Sequence, residues 1–245
     1  AWSDWSGGAS FLTAMMAPLW VSASDGAHTN MVRVVWTNAV GATHYQVYRS
    51  LTSGDVGTSV SAWITATNFD YPETAPGVSA YYRVRGATSS GGATPSEYSR
   101  FDEGWRALVG PPVTATDGAH TNRVAVSWTA AAGASHYRVH RTVAGSGVTN
   151  DVSGGWIAGT SLDDSTVLPG KTNFYFAQAA VDGAGNRFSA LGTGDMGWRA
   201  LAAPEGVTAS QGVSANGVTV NWQAVQGAGA YRVSRATTLA GAKTD

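Results

Sequence analysis

The stretch SDGAHTNMVRVVW at residues 24–36 decides the architecture, because the chain contains it more than once. It returns as TDGAHTNRVAVSW at 116–128 and, in degraded form, as SQGVSANGVTVNW at 210–222. The tryptophans that end the three copies are 92 and 94 residues apart. That period is the length of a small domain and is too long for the turn of a solenoid. The sequence therefore predicts an array of similar domains.

Apolar and polar residues alternate in the stretches that follow, which is the pattern of strands with one face on a core. In the first repeat this pattern predicts strands at 32–36, 45–49, 63–67, 81–85 and near 96–99. The second repeat has the same landmarks in the same order, and no segment carries a helical apolar period with capping residues. The predicted fold class is all-β.

The phase of the repeats predicts the domain boundaries. We predict repeats at 18–109 and 110–202, and a partial third repeat, its first half only, at 203–245. Residues 1–17 precede the first repeat, and their SGGAS run resembles the SGGAT turn late in that repeat. We therefore expect this N-terminal segment to be the last strand of a preceding or neighbouring repeat.

The composition limits the classes of partner and of site that the protein is expected to have. Charged residues make up 13% of the chain, against about 25% in an average globular protein. The surface is therefore expected to consist mostly of small, neutral and hydroxylated side chains. The formal net charge of −1 and the lack of a Lys/Arg run predict no nucleic-acid partner. No apolar stretch has the length of a membrane span, so no membrane insertion is expected. The absence of cysteine excludes disulfides, thiol catalysis and Cys-ligated zinc.

Both full repeats combine a V-x-V-x-W strand, a Tyr-x-Val-x-Arg strand, a Pro-Gly corner and a following aromatic strand. This combination resembles the fibronectin type III domain, and the longer motifs resemble the tandem type III repeats of large bacterial surface and secreted proteins. The resemblance implies tandem immunoglobulin-like β-sandwiches and an extracellular or cell-surface location. In one departure, Ala80 and Asn173 stand where the family has its corner tyrosine. We therefore expect that corner to be shifted or lost.

Two motifs frame each full repeat. The opening motif is Asp-Gly-Ala-His-Thr-Asn at 25–30 and 117–122, and the closing motif is Gly-Trp-Arg-Ala-Leu at 104–108 and 197–201. The aspartate of the opening motif suits a turn in which a short carboxylate caps its own backbone. A hard cation such as Ca²⁺ takes roughly 6–8 oxygen ligands, and calcium at the junction with a next repeat's turn is the alternative. Its candidate ligands are Asp25, Asn30, Asp102, Asp117, Asn122 and Asp195.

The closing motif places Trp105-Arg106 and Trp198-Arg199 at the ends of the two full repeats. An aromatic beside an arginine at each boundary predicts an interface that packs one domain against the next. Flat exposed tryptophans also suit stacking on a sugar ring, which leaves a polysaccharide partner open. The remaining repeated tryptophans alternate with polar neighbours and are predicted to be core residues: Trp36, Trp63, Trp128, Trp156 and Trp222.

The partial repeat keeps Trp222 and a predicted strand beginning at Tyr231. Uncovered sheet edges recruit other strands, so we expect both residues at an interface completed by further chain or by another copy.

No catalytic motif is present, and four of the five histidines are two repeat positions occurring twice, as expected of turn residues. We predict a non-enzymatic, self-associating subunit of an extracellular rod, sheath or filament. The alternative is a glycan- or partner-binding accessory module of an adhesin or a polysaccharide-degrading enzyme.

Overall fold

The computed structural model describes residues 14–143, 149–213 and 215–238. Every helix or strand assigned in these residues is a β-strand, which confirms the all-β prediction. Most of the N-terminal segment, for which a strand of another repeat was expected, lies outside the described residues.

The chain divides into two compact units. The first unit contains residues 1–109 together with two loops from the second repeat, 131–135 and 179–190. The second unit contains the other residues, including those of the third repeat. Each unit is described separately below.

The first repeat is a sandwich of two antiparallel sheets. Its strands are β1 (Val21–Ala23), β2 (Val32–Trp36), β3 (His44–Ser50), β4 (Thr58–Ser59), β5 (Asn68–Tyr71), β6 (Ala80–Ala87) and β7 (Asp102–Gly104). One sheet has the order β1-β2-β5 and the other β4-β3-β6-β7. The chain therefore crosses from one layer to the other between β2 and β3, as in immunoglobulin-like sandwiches.

The second repeat has the same arrangement. Its strands are β8 (Val113–Ala115), β9 (Val124–Trp128), β10 (His136–Val143), β11 (Thr149–Asp151), β12 (Ser161–Asp164), β13 (Asn173–Ala180) and β14 (Asp195–Gly197). The sheet orders are β12-β9-β8 and β11-β10-β13-β14. In the third repeat, β15 (Thr208–Ala209) pairs with β16 (Val220–Asn221), as β1 pairs with β2.

The core of the first repeat consists of the inward-facing residues of both sheets. Val34, Val47 and Tyr82 are fully buried, and Trp36 is nearly so. The ring of Trp36 meets Tyr45 edge-on, with 5.7 Å between centroids. Each such side chain contributes about 1.5–3 kcal/mol when removed from water, so the alternating residues hold the two sheets together.

The predicted strand at 63–67 is wrong. Ile64 makes only an isolated bridge with Tyr45, and the strand begins at Asn68 instead. Ile64 also packs against the core, so its side chain and the two backbone hydrogen bonds that it exchanges with Tyr45, at 2.7 and 2.9 Å, hold this short segment in place.

Trp63 and Trp156 are half-buried and are not core residues. Adjacent residues of an extended segment point to opposite faces, so the inward position of Ile64 turns Trp63 outward. The guanidinium of Arg85 lies 5.4 Å from the Trp63 ring, and that of Arg138 lies 4.7 Å from the Trp156 ring. Arginine therefore covers these two indoles on the sheet surface.

Residues 96–99 do not form the predicted strand, although they run beside β6. The side-chain oxygens of Ser96 and Ser99 accept hydrogen bonds from the amides of Gly86 and Val84, each at 2.9 Å. Serine hydroxyls thus satisfy amides of β6 that a regular strand would pair through its carbonyl groups. The strand at this edge therefore forms later, as β7.

A tyrosine does anchor the corner, but it is shifted along the chain. Tyr82 and Tyr175 each follow the corner proline by six residues, and both are fully buried. The Tyr82 hydroxyl shares a 2.7 Å hydrogen bond with Thr74 Oγ1. The Tyr175 hydroxyl donates to the Asp164 carboxylate at 3.1 Å.

Asp164 makes the second corner a buried charged site. Its side chain is 1% exposed and lies 2.6 Å from Arg141 Nη1. Burial acts to raise the pKa of Asp164, but hydrogen bonds from Thr166 and Arg141 outweigh burial and hold the pKa below its usual value. The first repeat has Tyr71 at this position, with Arg49 5.6 Å from the centre of its ring.

We expect Asp164→Asn to lower the free energy of unfolding by about 3 kcal/mol, because it leaves the Arg141 charge without its buried partner. Asp163→Asn, which breaks the exposed pair with Arg123, should cost less than about 1 kcal/mol. Urea unfolding measures both.

The contribution of Asp164 to stability should depend on pH. Because the folded pKa of Asp164 is depressed, its contribution is present above the ordinary carboxyl pKa of 3.8 and is lost as the pH falls through the lower folded value. The wild type should therefore lose more stability than Asp164→Asn on acidification below pH 3.8. Equal losses in the two proteins would contradict this assignment.

Candidate functional site

The opening motif of the first repeat pairs with the closing motif of the same repeat. Trp105 donates its amide to the carbonyl of Ser24 at 3.1 Å and accepts from the amide of Gly26 at 2.8 Å. The amide of Ala107 donates to the carbonyl of His28 at 2.8 Å. The two segments run parallel, so the end of each sandwich is closed by its own beginning.

The second repeat is closed in the same way. Trp198 bonds Thr116 and Gly118 through its backbone at 3.1 and 2.8 Å, and Ala200 donates to His120 at 2.9 Å. The closing motif of each full repeat therefore pairs with the opening motif of its own repeat. Parallel pairing needs chain segments that run in the same direction, and each repeat supplies both segments itself.

The arginine of the closing motif satisfies carbonyl groups that no strand reaches. Arg106 Nε and Nη2 donate to the carbonyl of Thr29 at 3.0 and 2.7 Å. Its Nη1 donates to the carbonyls of Pro72 and Thr74 at 2.8 and 3.0 Å. A planar fork of five donors suits this arrangement. Arg106 thereby ties the opening motif to the corner before β6.

Arg199 performs the same role in the second repeat. Its Nε and Nη2 donate to the carbonyl of Thr121 at 3.0 and 2.8 Å, and its Nη1 donates to Ser165 and Val167 at 3.2 and 2.8 Å. The two arginines predicted at an interface are thus used within their own repeats.

The tryptophan of the closing motif covers the glycine of the opening motif. Gly26 and Gly118 both have φ of +66°, a left-handed conformation that favours glycine. A Cβ on Gly26 would lie 2.9 Å from Trp105 Nε1, whereas one on Gly118 would lie 2.3 Å from Trp198 Cη2. The two indoles therefore present different edges to the same turn.

The candidate calcium ligands do not converge on one point. Asp102 and Asp195 use one carboxylate oxygen to accept the amides of Ala23 and Ala115 at 2.8 and 2.9 Å. Asp25, Asn30, Asp117 and Asn122 are exposed. In the part of the chain that the structure describes, no three His, Asp or Glu side chains are grouped as a metal site.

The pKa of Asp25 is raised above its usual value. Burial, together with the carboxylates of Asp102 and Glu103, raises the pKa of Asp25, and Arg187 acts in the opposite direction. A bound cation would relieve this repulsion, so calcium stays a prediction for this position.

Arg187 is a site residue that the sequence reasoning missed. It belongs to the first compact unit, and its guanidinium lies 4.3 Å from the centre of the Trp105 ring. With Asp25, Asn186 and Phe188, these two residues line an open cleft of about 380 Å³. The only indication of Arg187 in the sequence was that the two repeats differ at this position, where the first repeat has Thr94.

In the third repeat, the described residues form one pair of strands, β15 with β16. Trp222 and Tyr231 pack with ring centroids 5.4 Å apart, and the Tyr231 hydroxyl accepts the amide of Val225 at 2.6 Å. The predicted strand at 231–235 is not formed. Strands β3 and β10 pair with β6 and β13 in the full repeats, and no such partner lies beside 231–235 among the described residues.

The uncovered face is apolar. Val218 is 67% and Val233 is 57% exposed, and with Val220, Trp222 and Tyr231 they line an open cavity of about 780 Å³. A Cβ on Gly212, the counterpart of Gly26, would meet no heavy atom within 4 Å. In the described residues, no tryptophan covers this turn.

The histidines have structural contacts. The carbonyls of His28 and His120 accept the closing-motif amides described above. His44 Nδ1 lies 2.8 Å from Thr43 Oγ1, and His140 Nε2 lies 2.9 Å from Gln178 Oε1. The turn prediction agrees with His28 and His120, which lie between strands, but it is wrong for His44 and His136, which begin β3 and β10.

A comparison with solved structures identifies the fold. Two fibronectin type III domains of chicken tenascin are similar over 74% of this chain and 98% of their own, with a TM-score of 0.53 and 17% identity. The fold is that of the fibronectin type III domain. A Fn3-like protein from Clostridium thermocellum is 29% identical over 38% of this chain and 95% of its own, with a TM-score of 0.35.

No protein-family model and no curated protein matches the chain. The described residues contain no helix that could span a membrane.

We expect Arg106→Gln and Arg199→Gln each to lower the free energy of unfolding by about 2 kcal/mol, because three carbonyl groups in each repeat lose charge-assisted hydrogen bonds. Arg100→Gln is the control. Arg100 is exposed, and its replacement should change stability by no more than about 0.5 kcal/mol. Chemical unfolding of the three variants measures the effect, and a loss as small as that of the control would contradict the role of the fork.

If calcium binds, the melting temperature should be higher with millimolar CaCl₂ than with a chelator, because a ligand that binds only the folded state stabilises it. Asp25→Asn should abolish the difference. Identical melting curves for the wild type under both conditions would remove the calcium hypothesis.

Proposed function

We propose that the protein is a non-enzymatic, extracellular structural subunit whose type III repeats self-associate into a surface rod, sheath or filament. The observation that carries the proposal is the open apolar face of the third repeat. In the full repeats, the corresponding tryptophan is nearly buried, with Trp36 at 4% and Trp128 at 7% exposure. The third repeat has the same tryptophan–tyrosine pair but lacks that cover.

Strand addition is the association that this face favours. It combines exposed apolar side chains with an edge strand, β16, whose backbone can pair with an incoming strand. The occupant that we propose is a second copy of this chain, which supplies a strand to complete the sandwich.

A contact between two different surfaces of one subunit continues indefinitely unless its rotation closes a ring. Strand donation of this kind would therefore build a filament. The formal net charge of −1 supports the proposal, because subunits with little net charge repel one another weakly when many are packed together.

The test is the assembly state of the 245-residue chain. Sedimentation velocity should show species that grow with concentration, and negative-stain microscopy should show filaments. Val218→Asp and Val233→Asp should abolish assembly by placing a charge on the open face. Val40→Asp is the matched control, since Val40 is 91% exposed in the first repeat, and it should assemble as the wild type does.

Two outcomes would contradict strand donation by a second copy. One is a monomer at all concentrations. The other is an intact mass well above 25.2 kDa for the protein isolated from its source, with a monomeric state, since further chain would then cover the face.

Glycan binding is the second candidate, and the cleft beside Trp105 favours it. The cleft combines an aromatic ring with the charged side chains of Asp25 and Arg187, a mixture that suits a sugar with an apolar face and a polar rim. Co-sedimentation with insoluble cellulose or chitin tests it. Retention by the wild type that is lost in Phe188→Ser and kept in Phe174→Ser would support this function, and no retention on either polymer would count against it.

A further inference from the structure

Arg187 contacts the end of the first repeat through every part of its guanidinium plane. The face lies on the Trp105 ring at 4.3 Å. Nη1 donates to the carbonyl of Gly77 at 2.9 Å, and Nη2 donates to Ser79 Oγ at 2.7 Å and to Glu103 Oε1 at 2.9 Å. Ser79 in turn donates to Glu103. One side chain from the second repeat is thus recognised by ring, carbonyl, hydroxyl and carboxylate together.

The backbone that presents Arg187 is a fixed feature of the repeat. Arg187 has φ of 49°, and Thr94 at the same position of the first repeat has φ of 46°. Residues other than glycine rarely adopt this left-handed conformation. Both loops therefore hold this position in the same unusual geometry, while the side chain that it presents differs between them.

The surface that receives Arg187 also differs between the repeats. At the end of the second repeat, Thr172 and Met196 occupy the positions of Ser79 and Glu103. Threonine retains a hydroxyl, but methionine has no charge to offer a guanidinium. The carboxylate and the arginine thus occur together only at the end of the first repeat.

We propose that Glu103 and Arg187 form a key, meaning a matched pair of side chains that selects which loop docks on the end of the first repeat. The end of the first repeat accepts a repeat that presents arginine from the left-handed loop position and discriminates against one that presents threonine. Specificity of this kind arises because the wrong neighbour leaves a carboxylate and an aromatic face without their partner. This inference goes beyond the proposed function, since an ordered array needs neighbour selection whether it builds a filament or carries a binding site.

The exposure of the key sets the size of the expected effect. The Arg187 and Glu103 side chains are 27% and 39% exposed, so solvent screens their ion pair. The stacking of Arg187 on Trp105 and the planar geometry of its guanidinium strengthen this screened interaction. We expect a coupling of about 3- to 10-fold in the equilibrium constant for unfolding.

A double-mutant cycle on the full chain tests the key. Glu103→Met and Arg187→Thr replace each residue with the one at the same position of the other repeat. Each single change should raise the equilibrium constant for unfolding. The double variant should be no less stable than the less stable of the two single variants, because the contact between the two side chains is already lost after the first change. Urea unfolding followed by tryptophan fluorescence measures these unfolding constants.

Matched controls distinguish a key from a general surface effect. Thr94→Arg and Met196→Glu install each half of the key without its partner, so neither should stabilise the chain. Arg187→Lys keeps the charge but not the planar fork, and it should lose most of the coupling to Glu103. Strictly additive effects of Glu103→Met and Arg187→Thr, or full coupling retained by Arg187→Lys, would overturn the proposal.

Discussion

The structure of each repeat depends on one closure, in which the opening motif pairs in parallel with the closing motif and an arginine gathers the carbonyl groups beside it. Backbone groups that are withdrawn from water must find partners, and the end of a sandwich offers few strands to supply them. Arg106 and Arg199 solve this problem with one planar side chain each. The Asp-Gly-Ala-His-Thr-Asn motif is therefore an attachment point for the end of its own domain.

The two full repeats keep this closure but differ in the contacts around it. Tyr82 anchors its corner on a hydroxyl, whereas Tyr175 uses the carboxylate of Asp164. Trp105 is stacked by Arg187, whereas Trp198 presents another edge of its ring to the glycine turn. A closure made mainly of backbone hydrogen bonds tolerates such side-chain replacements. The two repeats thus share the backbone closure and differ in the side chains that contact it.

Sequence reasoning worked where one face of a strand meets the core. The alternation at 32–36 correctly placed Val34 and Trp36 inside, since period two follows directly from strand geometry. It failed at 63–67 and 96–99, where the hydrogen bonds to the neighbouring strand come from isolated bridges and serine hydroxyls. Hydrophobic pattern does not report which atoms complete a ladder, and so it assigned a core position to Trp63.

The sequence by itself predicted the all-β class, because that class follows from the period-two alternation of buried residues, and its motifs resembled those of the fibronectin type III domain. The tertiary structure alone decided which segments meet. It placed the closing motif on the opening motif of the same repeat and brought Arg187 to Trp105 and Glu103. These features join residues far apart in the chain, and their positions depend on loop conformations and strand directions that local patterns do not encode.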